Sequence, residues 1–305
     1  MQEAQKAWKL CFRELVACQL PNGGWPFLRR SAQAAVEPTA LALLALLPNS
    51  RQERDTAIDF LLRIQSPNGS WPAFLGDDEN ESGLTGLVVY CLHRCGMEGT
   101  ATDRAIRWLL RARGRESGWL WRWKFQTFDR HARFDPRKFG WPWMPGTVSW
   151  VVPTSYSLLA LKNCAGASPQ ALLRLRIRRG VEMLYDRICR QGGWNAGNGV
   201  VYGSSMVPHP DTTAIALLAL QGEAASQSRT LSLDWLDQRA GTCLAPWSLA
   251  WAILALNAFH RPIKTPITRL AAIAESAQIN NCTTLAVASI AFACADKLNP
   301  FGARS

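Results

Sequence analysis

The sequence predicts a closed all-α ring of six outer and six inner helices. Three observations carry that expectation. Turns built from Gly and Trp recur along the 305 residues. Each is followed by a stretch of helical length that is apolar nearly all round, as in a helix buried on most sides. Between these stretches lie amphipathic segments with their charges on one side, as surface helices have. Six such pairs, each burying its apolar side against the next, account for residues 1–305 as a single domain.

In order, Gln19-Leu20-Pro21-Asn22-Gly23-Gly24-Trp25 leads to Glu37-Pro38-Thr39 and a helix through Leu47. Gln65 to Trp71 leads to Ser82-Gly83-Leu84-Thr85 and a helix through Cys95. Gly118-Trp119 reads as a degenerate third turn, with its inner helix opening at Val152-Pro153-Thr154. Gln191-Gly192-Gly193-Trp194 precedes the apolar run His209 to Leu220. Ala245-Pro246-Trp247 opens a helix to about Phe259, and Asn281-Cys282-Thr283-Thr284 opens one through Ala295. The outer segments are Gln2–Ala17, Arg51–Ile64, Ala101–Arg113, Pro169–Arg190, Ser228–Leu236 and Pro266–Ala277. Thr39, Thr85, Thr154 and Thr213 stand where hydroxyls cap helix N-termini. One long departure remains, a basic and aromatic insertion at about 114–150. Its aromatic content argues against disorder, and a loop of that length is usually functional.

Nearly half the residues are apolar (48%), and there are fourteen Trp, so a large core is available. The formal net charge of +11 suggests an anionic partner, such as phosphate groups or an anionic membrane surface. No nucleic-acid-binding motif accompanies the Arg/Trp stretch, so nucleic acid is not an expected partner. Nine Cys, an odd count without CxxC or Cys/His clusters, read as reduced thiols in a cytoplasmic protein. Apolar runs such as Thr283 to Ala295 are too short to span a bilayer, so any membrane association is expected to be peripheral.

The Gln-x-x-x-Gly-x-Trp turns at Gln19–Trp25 and Gln65–Trp71, and the shortened form at Gln191–Trp194, resemble the repeats of the squalene–hopene cyclase and protein prenyltransferase superfamily. That resemblance covers nearly the whole chain and implies an (α/α)6 toroid, in which the Gln and Trp of the turns brace outer helices. It also singles out His209-Pro210-Asp211-Thr212-Thr213-Ala214. Class II terpene cyclases carry Asp-x-Asp-Asp, or Asp-x-Asp-Thr-Thr, at an inner-helix mouth. Asp211 falls on the middle acid of that motif, which protonates the substrate. His209 replaces the first Asp, and Thr212 the last.

What the resemblance implies is a protonation-initiated cyclase acting on a polyprene or prenyl diphosphate, with Asp211 as general acid, His209 and Thr212 tuning it, and no cofactor. Such an acid must sit dry enough to remain protonated. The resulting carbocation is held by aromatic faces, each worth about 0.5–2 kcal/mol. Trp150, Tyr156, Trp247 and Trp251 near inner-helix starts, and Tyr202 in a preceding loop, are the candidate wall. Glu37, at the mouth of the first inner helix, is a second candidate acid or a substrate contact. Asp77-Asp78-Glu79-Asn80-Glu81 resembles an acidic motif that holds Mg²⁺ and diphosphate, set in a loop. No Asp-x-Cys occurs, against a zinc prenyltransferase site. A cavity this open needs a cover: the insertion, a membrane surface, a partner chain or a second copy in a homodimer. The alternative to an enzyme is a toroid that binds an isoprenoid, a lipid or a protein without catalysis.

Overall fold

The computed structural model describes residues 2–47, 49–78, 81–128, 131–164, 170–276, 279–296 and 299–302. Helices alternate outer and inner along the chain. α1 (Gln2–Val16) precedes α2 (Val36–Leu46), and α3 (Arg51–Arg63) precedes α4 (Thr85–Arg94). α5 (Thr100–Arg111) is followed by an additional helix, α6 (Trp119–Thr127), before the inner α7 (Val151–Asn163). Then come α8 (Gln170–Asp186) and α9 (Pro210–Ala219), α10 (Gln227–Ala240) and α11 (Pro246–Ala258), α12 (Lys264–Ser276) and α13 (Cys282–Ala293). The inner helices pack in the order α2, α4, α7, α9, α11, α13, and α13 returns to α2, which closes the toroid. Two short antiparallel ribbons are the strand structure of the described residues, Trp25–Pro26 with Ala34–Ala35 and Val200–Val201 with Ser204–Ser205.

The inner helices are buried on almost every side. In α2 every residue from Pro38 to Leu46 is buried. In α13 the buried run is Cys282 to Phe292. The outer helices bury one stripe only, such as Ala57, Ile58, Phe60 and Leu61 in α3.

One device repeats four times and aligns the pairs. The indole N–H of Trp25, Trp71, Trp141 and Trp194 donates to Leu15 O, Leu61 O, Leu109 O and Leu184 O, at 2.6–2.8 Å, near the end of the preceding outer helix. The backbone N–H of the same four residues donates to the hydroxyls of Thr39, Thr85, Thr154 and Thr213, at 2.8–3.0 Å. All four indoles are essentially fully buried. Each Trp therefore ties an outer helix to the next inner one. Gln19 and Gln65 complete the brace, their side-chain amides reaching Gly23 O and Glu53 O, and Gly69 O and Ala101 O. Glycine is required in these turns: Gly23 has φ +90°, and a Cβ there would stand 2.3 Å from Thr56 O.

Two sequence expectations are corrected. The third turn is Gly140-Trp141. Trp119 begins α6 and is 80% exposed. A Gly-Trp pair marks such a turn only where a Thr hydroxyl and an outer-helix carbonyl meet it, and the insertion carries several Trp. The four Thr do not cap their own helices either. Their hydroxyls accept from the Trp backbone of the preceding turn, a longer-range task than capping.

The far end of the ring, where the inner helices finish, is plugged by the described C-terminal residues. Phe301 is buried and stacks 5.3 Å from Tyr90 and 5.0 Å from Trp251. The Tyr90 hydroxyl donates to Pro300 O, and Asn299 Nδ2 donates to Leu254 O. The candidate residues gather toward the other end, at the inner-helix N-termini.

Candidate active site

Asp211 is the second residue of α9, after His209 as N-cap and Pro210. Pro suits this place because a first-turn N–H has no intrahelical partner to lose. The His209 backbone N–H donates to Trp194 O at 2.8 Å, so the Trp brace fixes the helix entry. The Asp211 carboxylate does not cap its helix. Its Oδ1 accepts from Ser248 Oγ on α11 at 3.0 Å. The half-buried acid is therefore held across the mouth by a neighbouring inner helix.

Glu37 is the second residue of α2 and stands in the same frame, two residues before a brace threonine. Its carboxyl is enclosed by the inner helices, although part of the side chain stays open to the mouth. Burial pushes its pKa up to about 7, partly opposed by the nearby Tyr156 hydroxyl. Tyr156 is fully buried, and burial raises its own pKa well above the usual value, with the charges of Glu37, Cys91 and Asp211 adding to the effect. Tyr156 on α7 thus senses both Glu37 on α2 and Asp211 on α9.

Below them lies an aromatic wall. Tyr156 and Trp251 have ring centroids 6.4 Å apart, and Trp247 meets Trp251 edge-on at 5.7 Å. Trp251 continues down to the Phe301 plug. Trp247 is half-buried at the mouth. Tyr156 Oη, Trp251 Nε1 and Thr283 Oγ1 are buried without a hydrogen bond of normal geometry among the described residues.

The structure thus gathers Asp211, Glu37, Tyr156, Trp247 and Trp251. The other candidates lie apart. His209 is exposed, Thr212 is buried within α9, and among the described residues neither bonds to Asp211; Ser248 does. Trp150 is the N-cap of α7, half-buried, with its indole over Gly197. Tyr202 is 75% exposed and leans on His131 at 4.8 Å, away from the wall. In the acidic loop, Asp77 accepts from Ala73 N–H, and Glu81 accepts from Asn68 and Trp108. Glu79 and Asn80 lie outside the described residues. No group of three or more metal-ligating side chains occurs among the described residues. Sequence reading missed Ser248, whose signal was its place one residue after Trp247 in the first turn of an inner helix. It also missed the Phe301 plug, which has no local signal.

The insertion begins at this mouth and is pinned rather than loose. Glu116 is fully buried and accepts from Ser149 N–H. Arg187, 3.8 Å from Glu116, places its guanidinium 3.9 Å from the centre of the Phe134 ring.

No family model matches the chain. A drimenyl diphosphate synthase of Streptantibioticus cattleyicolor is 29% identical over 168 residues, 53% of this chain and 28% of that protein. One of Streptomyces showdoensis is 25% identical over 190 residues, 60% of this chain and 31% of that protein. The type II terpene cyclase MstE of Scytonema, in a structure with its product merosterolic acid A, superposes with a TM-score of 0.62 at 15% identity, covering 97% of this chain and 98% of that one. The chain is similar to class II terpene cyclases. It spans less than a third of the length of the drimenyl diphosphate synthases it matches. An α-amylase of Clostridium perfringens superposes with a TM-score of 0.65 at 11% identity, over 94% of this chain and 97% of that one. The α/α toroid is therefore the observed fold, and the reaction must be argued from the site.

Proposed function

We propose that the protein is an enzyme of class II terpene-cyclase type, which protonates and cyclises a polyprene or prenyl diphosphate with Asp211 as general acid. The observation that carries this reading is the Ser248–Asp211 hydrogen bond, which turns the carboxyl away from its own helix and across the mouth above the Tyr156–Trp251–Trp247 wall. The sequence likeness to drimenyl diphosphate synthases and the fold shared with MstE support the same class. An isoprenoid chain suits an aromatic-lined ring closed at its far end by Phe301.

The chemistry follows from these groups. Ser248 donates to one carboxyl oxygen and leaves the other free to carry a proton. The proton passes to the terminal alkene, and a tertiary cation forms on the neighbouring carbon. The next alkene's π electrons close a ring onto that cation, and loss of a proton ends the sequence. Tyr156, Trp247 and Trp251 present the π faces that stabilise the intermediate cations.

A second assignment has its own observation. Glu37, with a pKa near 7, is partly protonated at neutral pH without help from substrate. It could carry the proton instead, with Asp211 as its partner. Incubation with farnesyl diphosphate, geranylgeranyl diphosphate and squalene, followed by mass spectrometry of extracted products, tests both. A cyclised product lost in Asp211→Asn and kept in Glu37→Gln supports Asp211. The reverse pattern transfers the role to Glu37. A toroid that binds these compounds and converts none is the non-catalytic alternative. Closure of the mouth belongs to the same reading: the insertion stands beside it, and an anionic membrane surface or a partner chain, including a second copy, is the cover that the basic charge invites.

A further inference from the structure

The seam of the toroid, where the last helix pair meets the first, is built differently from most of the other joints. Four outer–inner pairs are tied by the buried indole of a turn Trp. No Trp follows Trp251 in the sequence, so α12 and α13 have no such brace. α13 is positioned instead by Asn281, whose side chain caps its N-terminus, and by the first loop. Cys282 N–H donates to Phe27 O, and Arg29 N–H to Asn280 O. Beside these bonds lies a cleft of about 1050 Å³, whose walls include Cys11, Glu14, Cys18, Arg29, Asn280 and Leu285.

Two thiols meet at this cleft. Cys18 follows the end of α1 and is partly exposed, whereas Cys282 is the first residue of α13 and is buried. Their side chains are in hydrogen-bonding contact. The Arg29 guanidinium reaches the Cys18 sulfur while pairing with Glu14. Cys18 shares the cleft wall with Asn280 and Leu285, which stand on either side of Cys282 in the chain. Cys11 lines the same cleft, but it lies two turns before Cys18, about 10 Å along the helix axis. That is beyond the reach of a disulfide, whose Cα atoms stand about 4.4–6.8 Å apart. Burial pushes the Cys11 thiol up to about 12. Burial also raises the pKa of Cys282, where Cys18 adds to the rise and Arg29 opposes it, so Cys282 stays a thiol.

We propose that Cys18 and Cys282 form a reversible redox site, oxidised by a hydroperoxide to a disulfide that staples the first outer helix to the last inner helix. Cys18 reacts first, because it is the thiol of the pair that the cleft leaves accessible. With hydrogen peroxide, its sulfur takes one peroxide oxygen, the O–O bond breaks, and Cys18 becomes a sulfenic acid as one water leaves. The Cys282 sulfur then attacks the Cys18 sulfur, and the sulfenic hydroxyl leaves with the Cys282 proton as a second water. The two sulfurs together give up two electrons, and the peroxide takes both. A thiol reductant reverses the bond by exchange. The disulfide closes most of the chain into one loop, which constrains the unfolded state and holds the seam where the indole brace is missing. The site is independent of the cyclase reading and of which acid serves it.

Stoichiometric hydrogen peroxide added to the reduced chain, followed by thiol titration, peptide mapping and thermal unfolding, tests the proposal. Cys18 and Cys282 should be the first two of the nine thiols to disappear. A peptide pair joined through them should appear, and dithiothreitol should remove it. The oxidised chain should melt at a higher temperature than the reduced one. Cys18→Ser should abolish both the cross-link and the shift. Cys95→Ser/Cys243→Ser, which removes the other partly exposed thiols, should keep both. Peptide mapping of the wild-type chain reads the bond directly, whether or not the variants fold. A treated wild type that keeps all nine thiols overturns the proposal. So does Cys18 found only as a sulfinic acid, or joined to Cys11 or to a second chain. A Cys18–Cys282 bond that leaves the melting temperature unchanged overturns the staple.

Discussion

Glu37 and Asp211 occupy the same station in two repeats. Each is the second residue of an inner helix, and each stands two residues before a threonine that accepts a Trp backbone N–H. Their surroundings differ. Asp211 receives a hydroxyl from Ser248 on the adjacent inner helix. Glu37 faces the buried Tyr156 and is held mostly by desolvation, which raises its pKa to about 7. The repeat therefore sets where an acid stands, and the side chains contributed by neighbouring repeats set what it meets there.

The largest effect expected from separating the two acids is on chemistry. Asp211→Asn should lower cyclisation by about 10³-fold or more, because it removes the transferable proton while keeping the shape; a positioned general acid contributes typically 10²–10⁴-fold. Glu37→Gln should change the rate far less. Product yield from a single turnover separates the two, and equal losses would mean that the pair works as one unit.

Glu37 has a second consequence, for stability. Its pKa is raised from 4.5 to about 7 on folding. Below pH 4.5 both the folded and the unfolded states hold the proton, and the group contributes no pH dependence. Between 4.5 and 7 the unfolded state ionises first, so stability falls as pH rises, and the full penalty is present above pH 7. Because the side chain keeps some exposure, that penalty is roughly 1–3 kcal/mol. Glu37→Gln should flatten this part of the profile and raise the melting temperature at pH 8 relative to wild type, with little difference at pH 4. Thermal unfolding across that range checks it.

The shared frame can be broken without touching either acid. Thr213→Val and Thr39→Val keep the shape and delete the acceptor of a buried Trp N–H. Each leaves a buried donor unsatisfied, at a cost of about 1–3 kcal/mol. Denaturant midpoints measure that cost. Loss at Thr213 should also lower cyclisation more than loss at Thr39, because it loosens the helix that carries Asp211.

Much of this frame was legible in the sequence. The Gly-Trp turns at Trp25, Trp71 and Trp194 and the alternation of amphipathic and all-apolar helices gave the ring, because the indole brace is built from residues close in the chain. The third turn was misplaced at Trp119, since several Trp compete within the insertion and the deciding contacts, Leu109 O and the Thr154 hydroxyl, come from distant residues. Asp211 and Glu37 could be read from their places at helix mouths. Their partners could not: Ser248 is 37 residues from Asp211, and Tyr156 meets Glu37 only because the ring places α7 across from α2. Tyr202 was a candidate for the wall from the loop before its inner helix, but a left-handed turn (φ +50°) carries it out to His131.

Ser248 gives the finest test of the comparison. Ser248→Ala removes one hydrogen bond from Asp211 and little volume. A bond of this kind is worth about 0.5–1.5 kcal/mol, or up to about tenfold in rate. If Ser248 holds the acid, its loss should lower the rate by about that factor, because the carboxyl loses the donor that draws it across the mouth. Ser248→Thr, which keeps the hydroxyl, should restore the rate. An unchanged rate would mean that Asp211 needs no partner, and the contrast with Glu37 would then rest on burial alone.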